Sequence, residues 1–349
     1  MENRIKMRSE YSRFAFRAGI FLLVGTVLQM LIGFLLRMLI APAYYQAHIT
    51  TFSFLNTICS VYILAFGLFV FLSRKEIRPA GKESERKPWR FVLWIPITAG
   101  LYWVGNYIGT ALDAVIKGVL SVSAQSVADA NTMVLSSSPA LRILVLSILG
   151  PIAEEFIFRK CLIDRVGEYS EGVAILISAI LSGLYQGNVS NFFFGLFAGA
   201  FFAYIYLRTG KIWYTVILHM FINTATGGIT LFAMEALDQE KLARLSDLRA
   251  QLDQSLNTDR NAMEQYEALK AEMGGALAFY NIWTVFFAIL CMAGVILLFI
   301  LLVRRKVVLK KTEDYVPKGI LPAVFNPGML LYLAAAAVLF VLHYLRMMG

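Results

Sequence analysis

Residues 139–161 read PALRILVLSILGPIAEEFIFRKC, and this stretch decides what kind of protein the chain is. A helix rising about 1.5 Å per residue needs roughly 20 mostly apolar residues to cross a hydrocarbon core about 30 Å thick. The stretch meets that length, yet it carries Glu154, Glu155, Arg159 and Lys160. Ionisable groups within a span are costly to bury, so each needs a partner or a task. Working outward, eight further segments come close to the same requirement: 14–40, 52–73, 90–111, 172–185, 192–207, 212–233, 279–303 and 328–345. The predicted fold class is therefore all-α, a polytopic membrane protein with about nine transmembrane helices.

Composition agrees. With 58% hydrophobic and 16% charged residues and a mean hydropathy of +0.66, a pair of soluble domains is excluded, as are disorder and a secreted disulfide scaffold. Cys59, Cys161 and Cys291 lie inside apolar stretches, at neither disulfide nor metal-ligand spacing, and read as packing residues. The first span, interrupted by Arg17 and Arg37, is too long for a cleaved signal peptide and reads as a retained anchor.

A net charge of +9 points either to nucleic acid or to basic loops on the cytoplasmic side, and the position of the charges decides. Arg4, Lys6, Arg8 and Arg13 precede the first span; Arg74, Lys75, Arg78, Lys82, Arg86 and Lys87 follow the second; Arg304, Arg305, Lys306, Lys310 and Lys311 follow the eighth. The alternate loops are poor in them: 41–51 has no Lys or Arg, and 112–138 has only Lys117. This asymmetry predicts a multi-pass protein of the cell membrane with its N-terminus cytoplasmic and its C-terminus outside, and no nucleic-acid partner.

The chain divides into N-terminal membrane helices and loops (1–138), a core (139–233), an extracytoplasmic insertion (234–277) and C-terminal membrane helices (278–349). Within the core, the fifth and sixth spans are short and joined by 186–191, which suggests a hairpin sheltered by other helices, its polar backbone lining a cavity. The insertion is hydrophilic, with Leu237, Leu245, Leu248 and Leu252 at helical spacing and a break near Asn257, Thr258 and Asp259. It reads as an amphipathic helical pair, either packed on itself or presenting a surface to a protein partner.

Glu155 and Arg159 are four apart and share a helical face; Glu154 lies about 100° around from Glu155. A clasp between helices explains Glu155 but leaves Glu154 without a reason, whereas two carboxylates in different surroundings suit general acid and base work. In the seventh span, His219 and Asn223 repeat the four-residue step, as an interhelical hydrogen-bond clip or as a proton-exchanging imidazole beside an oxyanion donor. Counted from the cytoplasmic ends of their spans, Glu154 lies about 9 Å deep and His219 about 12 Å, so the two can meet. On the same count Gln186 falls near the far end of its span. His48 and His343 read as packing or surface residues. Without a His-Glu-x-x-His helix, and with one core histidine, no tightly bound metal or other cofactor is expected.

Glu154-Glu155-x-x-x-Arg159, an apolar hairpin and His219-x-x-x-Asn223, in that order on apolar helices, resemble the CPBP family of intramembrane proteases, also called the CAAX protease and bacteriocin-processing family. The resemblance covers about 139–228 and takes in Gly195, Gly199, Tyr204, Tyr206, Thr209 and Gly210. It implies a membrane-embedded cavity in which Glu154 activates water, Glu155 and Arg159 support it, and His219 with Asn223 binds the oxyanion. The family's glutamate mechanism needs no metal. One motif departs: the family's middle motif has an aromatic residue where this chain has Ser182 and a histidine where it has Gln186. Glutamine can orient water but cannot exchange a proton.

Two functions follow. The first is an intramembrane glutamate-type endopeptidase acting on a membrane-associated peptide or protein within the bilayer. The alternative is a catalytically impaired pseudoprotease that serves as a membrane binding scaffold. A transporter would show related broken helices in both halves, and no such internal repeat is present.

Overall fold

The computed structural model describes residues 1–76, 90–123, 138–310, 312, 314–317 and 319–348. Arg78, Lys82, Arg86, Lys87, Lys311 and positions 124–137 of the expected outer loop lie outside the described residues. In chain order the helices are α1 (Glu2–Leu39), α2 (Pro42–Ala47), α3 (Ile49–Ser73), α4 (Arg90–Val119), α5 (139–166), α6 (Glu171–Tyr185), α7 (Val189–Thr209) and α8 (Ile212–Glu235). They continue with α9 (Gln239–Gln254), α10 (Arg260–Glu272), α11 (Gly274–Val303), α12 (Ile320–Val324) and α13 (Pro327–Met348). There is no strand among the described residues, and the fold is that of an all-α polytopic membrane protein.

Among the described residues seven helices, α1, α3, α4, α7, α8, α11 and α13, are long and apolar enough to cross a membrane. The other two expected spans are α5, which carries the charges, and α6, which has 15 residues. At about 1.5 Å per residue α6 reaches only about 22 Å. The two helices that depart from an ordinary span are the one bearing Glu154, Glu155 and Arg159 and the one that Gln186 ends.

Several helices run past their expected ends. α1 begins at Glu2, so the basic N-terminal residues form its first turns. α5 continues beyond Cys161 to Val166 because the charges there are satisfied: Lys160 pairs with Asp164 at 2.6 Å, Tyr206 donates to Asp164 at 2.9 Å, and Arg165 lies 3.6 Å from Glu10. On the same basic end, buried Glu171 accepts from Arg208 and, at 2.7 Å, from the backbone N–H of Lys310.

Two apolar clusters flank the middle of the bundle. One joins Tyr11, Phe14 and Phe21 of α1 to Ile157, Phe158 and Leu162 of α5, Leu181 of α6 and Tyr332 of α13. The other joins Phe194, Phe202 and Ile205 of α7 to Leu218 and Ile222 of α8 and Cys291 of α11. Lipid is as apolar as these side chains, so close packing and internal hydrogen bonds hold them together. The α6–α7 hairpin shows how close: a Cβ on Gly195 or Gly199 would lie 2.8–3.1 Å from backbone atoms of α6. Gly187, at φ +65°, turns the chain between the two helices, and the Asn188 side chain caps α7 by accepting from Asn191 N at 2.8 Å.

The insertion is two helices, α9 and α10, with the break at 255–259. Leu248, Leu252 and Ala262 form an interior of their own with Met263, Tyr266 and Leu269 packed on it, and Lys241 pairs with Glu272. The pair is packed on itself. We predict that Leu252→Ala weakens this small interior by about 2–4 kcal/mol. Limited proteolysis should then cut within 239–272 while the thermal transition of the membrane bundle stays where it was. A lowered bundle transition would show that the pair supports the core.

Candidate active site

Glu154 and Glu155 sit on α5 between two stretches of wide helix with i to i+5 hydrogen bonding, Ile143–Leu149 and Phe156–Ile163. Such turns are uncommon and recur at functional positions. Glu155 is wholly enclosed and held from two sides. Arg159, one turn on, brings Nε to 3.0 Å from Oε2, and its Nη2 donates to Oε1 at 3.4 Å. From α8, His219 Nδ1 meets Oε1 at 3.0 Å. Thr215, one turn before His219, also faces Glu155.

The Nη1 donors of Arg159 go to α6, reaching Ser178 Oγ at 2.8 Å and Ser182 Oγ at 3.2 Å. Its guanidinium also lies 5.9 Å from the ring centre of Phe202 on α7. One arginine thus touches α5, α6 and α7, and through Glu155 it engages α8. A buried ion pair is tolerable only when its leftover donors and lone pairs are matched, and breaking one by removing a partner costs about 3–5 kcal/mol. Here the matching side chains come from several helices.

Glu154 points elsewhere. It is 9% exposed against 0% for Glu155, and it makes no ion pair among the described residues. Gln186 Nε2 donates to its Oε2 at 3.1 Å. The Tyr62 hydroxyl lies against Gly150, one turn earlier on the same face, where a Cβ would meet it at 3.3 Å. Gln186 is itself held by Asn188, whose Nδ2 donates to the Gln186 carbonyl at 2.9 Å.

The expected mismatch in depth between Glu154 and Gln186 is absent, for a simple reason. With α5 running to Val166, Glu154 lies 12 residues from the basic end rather than six, about 18 Å along the helix. Gln186, just past the 15 residues of α6, stands at about 22 Å, within a turn of it.

Asn223, one turn past His219 on α8, also reaches across to α5. Its Nδ2 donates to the carbonyl of Leu146 on α5 at 2.8 Å. In the wide helix the Gly150 N–H reaches back five residues to the Val145 carbonyl. The next such bond would run from residue 151 to Leu146, but residue 151 is proline and has no N–H. Asn223 fills that vacancy with one amide hydrogen and keeps the other.

Sequence spacing paired Glu155 with Arg159 and turned Glu154 to another face, but depth put Glu154 level with His219, whereas the imidazole bonds Glu155. It missed Ser178, whose i, i+4 relation to Ser182 was the available signal. It also missed Tyr62, Phe202 and the Leu146 carbonyl, for which only the Leu146–Pro151 spacing hints at anything. Among the described residues no three of His, Cys, Asp and Glu converge as a metal-ligand set.

Residues 136–225 match the family described as Rce1-like, Type II CAAX prenyl endopeptidase Rce1-like. A protein of Bacillus subtilis (strain 168) described as "Putative membrane peptidase YdiL" is 36% identical over 85 residues, 24% of this chain and 35% of that relative. The chain therefore matches about a third of that relative's length. No solved structure matches the chain significantly. The family match contains Glu154, Glu155, Arg159, Gln186, His219 and Asn223, and it leaves out α9 and α10.

A double-mutant cycle tests the role of Asn223. Asn223→Ala should cost about 0.5–1.5 kcal/mol, since it removes the donor to the Leu146 carbonyl. Pro151→Ala restores an N–H for that carbonyl, so in its background the cost of Asn223→Ala should fall by about 1 kcal/mol. Additive losses in melting temperature would contradict this account.

Proposed function

From the match of residues 136–225 to the family of Rce1-like CAAX prenyl endopeptidases, and from the geometry around Glu154, we propose that the protein is a glutamate-type endopeptidase of the CPBP kind cleaving a membrane-associated peptide or protein. The observation that carries the proposal is the division of labour between adjacent carboxylates. Glu155 is committed to Arg159 and His219, while Glu154 has only the neutral Gln186 on one oxygen and retains some exposure.

In this reading Glu154 Oε1 takes a proton from water, and the hydroxide attacks the peptide carbonyl carbon. With His219 Nδ1 turned to Glu155, Nε2 is the nitrogen left to face the substrate. Nε2–H and the second amide hydrogen of Asn223 hold the oxyanion. When the C–N bond breaks, the leaving nitrogen needs a proton. Gln186 has none to give, so Glu154 returns the one it took, acting first as base and then as acid. Gln186 keeps the carboxylate aimed throughout. Water and peptide approach from the side where Glu154 and Gln186 retain exposure.

The pseudoprotease scaffold draws on one specific observation: a glutamine that cannot exchange protons covers one oxygen of Glu154. The two readings part experimentally. Comparing new peptide N-termini in membranes of cells carrying the native chain or Glu154→Gln should reveal fragments that fall about 10²–10⁴-fold in the variant. Identical fragment sets would contradict the endopeptidase. Cleavage that arises only in Gln186→His would favour the scaffold.

A further inference from the structure

On the other side of α6 from the carboxylates lies a large groove of about 1030 Å³. Ser178 and Ser182 of α6 face Arg159, whereas Leu176 and Ala179 of the same helix line the groove. Its other walls come from α4, α7 and α11. The volume is at or above the upper end of the roughly 300–1,000 Å³ usual for small-molecule sites. Over most of its length the lining is apolar, Trp94 and Ala200 included. At the basic end it meets Arg208, Lys306 and Lys310.

That mouth is built. The segment 306–310 crosses it as a strap fixed at Glu171, which accepts the Lys310 backbone N–H at 2.7 Å and pairs with Arg208. Leu309 packs on Gly172, its Cδ1 lying 3.3 Å from where a Cβ would stand. Glu171 thereby pairs with Arg208, but Lys306 and Lys310 are exposed and make no ion pair among the described residues. Two ammonium groups without an ion pair among the described residues are held at the polar end of an apolar groove, just past the end of the long apolar helix α11 at Val303.

We propose that this groove is a binding site for an anionic phospholipid, with acyl chain in the α4–α6–α7–α11 groove and phosphate between Lys306 and Lys310. Basic pockets between transmembrane helices on the cytoplasmic side select anionic headgroups in this way. A zwitterionic lipid fills the apolar part equally well but brings no net charge to the two lysines. The site is separate from the carboxylates and does not depend on the chain being a protease.

Trp94 supplies the probe. The full chain is placed in phosphatidylcholine nanodiscs containing a minor fraction of lipid with brominated chains, either phosphatidylglycerol or phosphatidylcholine. The Trp94 contribution is taken as the difference from Trp94→Phe. Brominated phosphatidylglycerol should quench Trp94 at a fraction roughly five- to thirtyfold lower than brominated phosphatidylcholine. Lys306→Gln with Lys310→Gln should erase that preference, leaving Arg304 and Arg305 as topological signals. Ala200→Phe, which fills the groove and touches no charge, should remove the quenching by either lipid. Equal quenching by both lipids in the native chain would overturn the proposal. So would a preference that survives the lysine changes, or quenching that survives Ala200→Phe.

Discussion

The structure depends on one buried charge that cannot be left alone. Arg159 sits at 2% exposure in the middle of the bundle, where an unpaired guanidinium would be prohibitively costly. Its requirements fix the surroundings: Glu155 on its own helix, two serine hydroxyls on α6, an aromatic face on α7 and, through Glu155, the imidazole on α8. Four helices are thereby set in register. The close glycine contacts of the hairpin let α6 come near enough to deliver those hydroxyls.

Satisfying Arg159 uses up Glu155 and leaves its neighbour free. Because adjacent residues on a helix point about 100° apart, Glu154 cannot join the same cluster and turns to Gln186 instead. The two carboxylates are chemically alike and a residue apart, yet one is enclosed between Arg159 and His219 while the other keeps 9% exposure and bonds only the neutral Gln186. The wide turns on either side, together with Pro151, open the backbone of α5 at the same place. The carbonyl thus orphaned draws Asn223 across from α8, which adds to the His219–Glu155 and Glu235–Arg142 contacts that join α8 to the Glu154 helix.

Much of this was legible in the sequence, and what escaped did so for identifiable reasons. Span positions follow from apolar length, and the pairing of Glu155 with Arg159 follows from side-chain periodicity and the cost of burying charge, whereas the bond from His219 to Glu155 depends on how α8 packs on α5. Helix ends were misjudged where charged residues such as Asp164 and Arg165 looked like loop but find partners in Lys160, Tyr206 and Glu10. That error placed Glu154 too near the membrane surface and made Gln186 look out of reach. The partner of Asn223 depends on a helical register that spacing alone does not reveal. The amphipathic pair declared its helices through leucine spacing, while its self-packed interior required the tertiary arrangement of Leu248, Leu252 and Ala262.

The central claim is that two neighbouring glutamates have been separated into one locked in an ion-paired cluster and one available to exchange a proton within the membrane. Labelling the purified chain with a lipid-soluble carbodiimide, which attacks protonated carboxyl groups, and mapping the adducts by peptide mass spectrometry measures this directly. The account predicts modification at Glu154 and none at Glu155. Modification at Glu155 as readily as at Glu154, or a Glu154 that stays unmodified, would contradict it.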